Sequence, residues 1–138
     1  MESCTGGALI NAITNIPGAS EITKGGSVPY SIQEKISLGV PKKLIEKYSV
    51  YSSRVAIAMA KMAFKKIQGS DIGIGITGIL SRPDPKYPKK KVGQVDIGIV
   101  FKNKTLVKRF YFPPKKERGL AKAMIVLKAL EMIEKIVK

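Results

Sequence analysis

"DIGIGITGI", residues 71–79, sets isoleucine at 72, 74, 76 and 79 and glycine at 73, 75 and 78. β-branched side chains suit a pleated strand, and a run this evenly apolar reads as a strand buried within a sheet. Gly73 and Gly75 leave room on one side for a neighbouring element to come close. A strand of this kind needs cover, and the flanking sequence supplies it.

Upstream, Ser52 or Ser53 is suited to cap a helix through "RVAIAMAKMAFKKIQ" (54–68). Its packed face carries Val55, Met59, Met62, Ile67 and several alanines, and its end is basic, as the helix dipole favours. The methionine stripe is a core face. Downstream, "LSRPDPKYPKKK" (80–91) is a proline- and lysine-rich loop of functional length. "VGQVDIGIVF" and "TLVKRFYF" flank Lys102-Asn103-Lys104 as a hairpin. A final helix from about Glu117 to Val137 is expected to bury Leu120, Met124, Leu127, Leu130 and Ile133.

Nearer the start, the Thr5 hydroxyl is expected to cap a helix through "ALINAITNI" (8–16), with Leu9, Ile10 and Ile13 on its apolar face. Pro17 and Gly18 end it. "TKGGSVPYS" (23–31) reads as a short strand, at an edge because of Pro29. Short helices follow at about Ile32 to Ser37 and from Pro41. Helix, strand, helices, strand, hairpin, helix predicts an α/β fold: three layers, α/β/α, with a mixed sheet between helices and one domain over residues 1–138.

Twenty-five Lys and Arg stand against 10 Asp and Glu, for a net charge of +15 across 138 residues. Such a balance attracts polyanions. Much of the excess is dispersed lysine, with clusters at Lys89, Lys90, Lys91 and at Lys115, Lys116, which reads as a solvated coat. Basic motifs interleaved with aromatics are absent, so nucleic acid is not the expected partner. The lone cysteine, Cys4, excludes an internal disulfide and fits a reducing, cytoplasmic setting. Neither a membrane span nor a signal peptide is legible. With no histidine at all, Ser-His and Cys-His pairs and HExxH metal sites are excluded. No metal ligand set and no cofactor are expected.

Catalysis in such a chain falls to lysine, tyrosine, carboxylates or backbone dipoles. "ESCTGG" (2–7) and "PGAS" (17–20) each put serine beside glycine near a helix start, where free N–H groups favour an anion. Serine and glycine at caps are also ordinary structure. Lys35, five residues after Tyr30, shares a side with it across a turn. A lysine of lowered pKa can deprotonate serine, although by spacing alone a solvated surface lysine is the favoured reading.

Together "ESCTGG", "IPGAS", "GGSVPYS" with Lys35, "LGVP", "GITGI", "VGQV" and the helix led by Arg118 resemble the C-terminal domain of the competence/damage-inducible protein CinA, the nicotinamide-nucleotide amidase family. The resemblance implies an amidohydrolase that converts nicotinamide mononucleotide to nicotinate mononucleotide and ammonia. It implies Ser20 as nucleophile, in preference to Ser3, with Lys35 as base and Tyr30 assisting. Ser3 and Thr77 are implied as substrate-orienting hydroxyls, Thr5, Gly6, Gly7 and Gly78 as walls of the nucleotide site, and Arg118 as a ligand of the phosphate or the pyridine. The chain departs from the family pattern in "LSRPDPKYPKKK", which lacks the family's glycines, and at Lys122, where arginine is usual. A nucleotide-binding or interaction module of weakened activity is the alternative these departures suggest. The family also carries a helix and strand before "ESCTGG", so a sheet strand is expected to be missing and the exposed edge to promote homo-oligomers.

Overall fold

A computed structural model describes residues 1–114 and 116–138, which leaves Lys115 of the second basic cluster outside the described residues. The glycine-isoleucine run forms β1 (Ile72–Gly78), followed by β2 (Gln94–Phe101) and β3 (Lys104–Tyr111). The three pair antiparallel in the order β1-β2-β3. Lys102 and Asn103 make the β2–β3 turn, with Lys102 at φ 51°. Before β1 come α1 (Ala8–Thr14), α2 (Ala19–Ile22), α3 (Ile32–Ser37), α4 (Lys42–Tyr48) and α5 (Ser53–Lys66); α6 (Arg118–Val137) closes the chain.

The two faces of β1 differ as the alternation demands. Gly73 and Gly75 face α5, and Gly75 pairs with Gly98 of β2, so the helix rests on a floor without side chains. A Cβ on Gly75 would meet the Ala56 carbonyl oxygen and stand 2.6 Å from the Ala60 nitrogen. On the opposite face Ile76, Val95, Ile97 and Ile99 pack with Leu9 of α1 and with Ile125, Ala129 and Met132 of α6. A second core on the α5 side joins Val40, Ile45, Val50, Val55 and Met59. Helices thus cover both faces of an α/β sheet, as expected.

The named strands are antiparallel, and a parallel contact is made beside β1 by the N-terminal residues as an isolated bridge. Met1 accepts from the Ile76 N–H (3.0 Å), Ser3 donates back to the Ile76 carbonyl (2.9 Å), and Glu2 bridges Ile76 in parallel.

Four local expectations are corrected. Gly7, at φ 94°, is the N-cap of α1, and Thr5 does not cap it; the carboxylate of Glu2 does that work, as described below. Residues 23–30 form no strand and run irregularly beside the N-terminus, where the Ser27 carbonyl accepts from the Glu2 N–H (2.9 Å). Two glycines and a proline deprive this stretch of a repeating ladder. Pro41 is the N-cap of α4 rather than its first residue. Finally, α6 buries Ala121, Ile125, Val126, Ala129 and Met132, while Leu120, Leu127 and Leu130 are 51, 56 and 37% exposed. The buried stripe mixes alanines with large side chains, and the leucines line another face. Among the described residues no helix is long and apolar enough to cross a membrane.

Candidate active site

"ESCTGG" is a turn built around the Glu2 carboxylate. Its Oε2 accepts from the Thr5 hydroxyl (2.7 Å) and from the N–H groups of Gly7 (3.2 Å) and Leu9 (3.0 Å), while Oε1 accepts from the Ile10 N–H (2.9 Å). The first amides of α1, which an anionic ligand would otherwise occupy, are satisfied by the chain's own anion. Gly6 and Gly7 adopt φ 61° and 94°, the left-handed backbone that closes the turn. Thr5, Gly6 and Gly7 are therefore scaffold, outside the lining of the cleft.

What the turn holds in place is Ser3. Its N–H is fixed to β1 and its Oγ accepts a hydrogen bond of 2.9 Å from the Lys35 Nζ. Ser31 caps α3 by accepting from the Glu34 N–H (3.0 Å), and this short helix aims Lys35 inward. Lys35 is only 1% exposed, and its ammonium also donates to the carbonyls of Pro29 (2.8 Å) and Tyr30 (3.4 Å). Among the described residues no carboxylate pairs with it. Burial lowers its pKa from 10.5 to about 8. The Cys4 thiol, also buried, is pushed up to about 12 and stays protonated.

Ser3, Lys35 and Gly78 open onto a cleft of about 650 Å³. Its rim carries three cations, Arg82, Lys116 and Arg118, with Asp84 as the one carboxylate among its lining residues. Arg118 donates to the Ser81 hydroxyl (2.6 Å), which joins the start of α6 to the loop 80–91. Tyr30 lines the cleft and is 65% exposed, and it meets Lys35 through its backbone carbonyl rather than its phenol. Thr77 points elsewhere, donating to the Val50 carbonyl (3.0 Å).

Ser20 is not brought to Lys35. It lies exposed in a separate cleft with Ile16, Pro17, Gly18 and Thr23, where Gly18 at φ 87° starts α2. The dyad of the structure is Ser3 and Lys35, a pairing that the spacing of Tyr30 and Lys35 does not reveal because it joins residues 32 apart.

Tyr51 and Asp84, which line the same cleft, join a polar network that the sequence does not announce. Fully buried Asp96 accepts from Gln94 Nε2 (3.0 Å), Arg109 Nε (2.9 Å) and the Ser53 hydroxyl, and Gln94 also donates to the Tyr51 carbonyl (3.2 Å). Tyr51 in turn donates through its hydroxyl to Asp84 Oδ2 (2.8 Å). The only forewarning was the length and charge of "LSRPDPKYPKKK". Among the described residues no cluster of His, Cys, Asp and Glu could hold a metal ion.

A family model described as the CinA C-terminal domain matches residues 1–137. A putative competence-damage inducible protein of Clostridium novyi is 37% identical over 135 residues, covering 97% of this chain and 32% of its own length. One of Moorella thermoacetica is 43% identical over 117 residues, covering 84% of this chain and 28% of its own. The chain thus spans about a third of the length of the curated relatives it matches. Among solved structures, the competence/damage inducible protein of Agrobacterium tumefaciens superposes with a TM-score of 0.90 at 28% identity, over 99% of this chain and 82% of that one. A CinA superfamily protein of Escherichia coli gives 0.88 at 26% identity, over 98% and 77%.

Proposed function

The chain belongs to the CinA C-terminal domain family, and on that premise we propose that it is an amidohydrolase acting on nicotinamide mononucleotide through Ser3 and Lys35. The observation that carries the proposal is the 2.9 Å contact between Lys35 Nζ and Ser3 Oγ, with the lysine buried and its pKa lowered to about 8. An amine so placed is a general base at mildly alkaline pH, where no imidazole is present to serve.

In its neutral form Lys35 accepts the Ser3 hydroxyl proton as Oγ attacks the carboxamide carbon. The C=O π pair becomes the oxyanion of a tetrahedral intermediate. The backbone N–H of Cys4, which follows the nucleophile and lines the cleft, is the donor proposed for it. Collapse of the intermediate breaks the C–N bond, and the Lys35 ammonium returns the proton to the departing ammonia. Water, deprotonated by the same amine, then hydrolyses the acyl-serine and restores Ser3. Arg82, Lys116 and Arg118 supply the positive rim that a substrate phosphate requires.

We place the protein in the cytoplasm, as one folding unit over residues 1–138, and read the exposed leucines of α6 as a site of self-association. The test of the reaction is ammonia release from nicotinamide mononucleotide by the wild type and by Ser3→Ala, Lys35→Ala and Ser20→Ala. Loss of an activated nucleophile or its base is expected to cost about a thousandfold or more in kcat. Ser20→Ala is expected to stay within a few fold of wild type. Equal loss in Ser20→Ala with turnover surviving in Ser3→Ala would reverse the assignment. Saturable binding without turnover by the wild type would leave a nucleotide-binding module in its place.

A further inference from the structure

Tyr51 is the point at which the loop 80–91 is fastened. Its hydroxyl donates to Asp84 Oδ2 (2.8 Å), and its ring meets that of Tyr87 edge-on, at 87° and 5.6 Å between centroids. Asp84 uses its other oxygen, Oδ1, to accept from the Lys86 N–H (2.9 Å), folding the loop into a turn between Pro83 and Pro85. Both oxygens of the carboxylate are thus engaged in shaping the loop.

Tyr51 is itself immobilised. Its N–H donates to Ser49 Oγ (3.0 Å), its carbonyl accepts from Gln94, and the preceding carbonyl of Val50 accepts from Thr77. These bonds tie it to β1 and β2, the most deeply buried strands. Ser81, in the same loop, accepts from Arg118 (2.6 Å). A hydrogen-bonded path therefore runs from the sheet through Tyr51 and Asp84 to the loop that holds the arginine at the mouth of the cleft.

We propose that Tyr51 is a positioning residue for the cleft: its bond to Asp84 and its packing on Tyr87 hold the loop 80–91 over Ser3 and Lys35, and through Ser81 fix the direction of Arg118. Its effect on turnover rests on the reading of the cleft as a substrate site. Its effect on the loop does not. Tyr51→Phe keeps the ring against Tyr87 and removes only the hydroxyl, whereas Asp84→Ala removes the acceptor.

The experiment is a double-mutant cycle on Tyr51→Phe and Asp84→Ala in the whole chain, read in two ways. Hydrogen exchange of the amides in 80–91 without ligand is expected to quicken about tenfold in Tyr51→Phe and at least as much in Asp84→Ala, which also frees the Lys86 N–H, and no further in the double than in Asp84→Ala alone. KM for nicotinamide mononucleotide is expected to rise about tenfold with kcat within twofold, as for loss of a group that orients bound substrate. Additive exchange effects, or exchange in 80–91 unchanged by Tyr51→Phe, would overturn the proposal. So would a fall in kcat at constant KM. If the wild type turns over no mononucleotide, the amidase reading fails while the exchange measurement still decides the role of Tyr51.

Discussion

Among the described residues, Lys35 has no carboxylate partner. Its amine, with pKa lowered to about 8 by burial, is largely protonated at pH 7 and largely free at pH 9. kcat/KM for amide hydrolysis is accordingly expected to climb with pH through about 8 and then level, as a pH–rate series will show. The same titration affects stability, with a definite sign. The unfolded lysine keeps its proton up to its ordinary value of 10.5, whereas the folded one releases it near 8, so the unfolded state binds more protons between those values. Its contribution to stability therefore grows as pH rises from about 8 toward 10.5, and is at its least favourable below 8, where folding must bury a charged amine. Lys35→Met is expected to flatten that part of a Tm-against-pH curve; an unchanged slope would mean that the lysine is not desolvated. Little of this was legible in the sequence. A lysine five residues after a tyrosine is unremarkable until Pro29, Tyr30 and Ser3 are seen to surround it.

The elements were more legible where side-chain size alternates sharply. In β1, isoleucine against glycine specifies a strand with one full face and one empty one, and α5 fills the empty face with its own backbone. Gly75→Ala is expected to destabilise the fold by about 3 kcal/mol, the upper end for overpacking, because the obstacle is the Ala56 carbonyl and not a side chain that can swing away. A thermal melt measures this directly, and a Tm within a degree of wild type would show that α5 can lift without penalty. In α6 the pattern misled, for leucines are stronger hydrophobic markers than alanines. Ala121 and Ala129 are nevertheless buried beside Ile125, Val126 and Met132, and no periodicity of hydrophobicity distinguishes that face from the one bearing Leu120, Leu127 and Leu130. The irregular segment 23–30 was misread for a related reason: its composition fits an edge strand, but its partner is the N-terminal turn.

At the scale of the whole molecule, the α/β layering followed from the order of elements, while the surface that meets other molecules did not. A helix with apolar residues on both its inner and outer faces is ordinarily covered on both. Self-association through α6 is therefore expected in solution, and Leu127→Glu is expected to halve the mass of a dimer while leaving Tm within a few degrees, since the side chain lies outside the core. Light scattering on both proteins checks this; a wild-type monomer at all concentrations would refute it.

The turn around Glu2 changes what a motif can be asked to testify. Glu2, Thr5, Gly6 and Gly7 are each accounted for by folding, since they close one turn and secure one helix. Ser3 is the motif residue placed against the buried lysine. On the proposed reaction, a protein that kept "E-x-x-TGG" but exchanged this serine, or Lys35, is expected to keep the turn and lose turnover. If the proposed reaction holds, the positions to read in a relative are these two, 32 residues apart, rather than the contiguous signature that catches the eye.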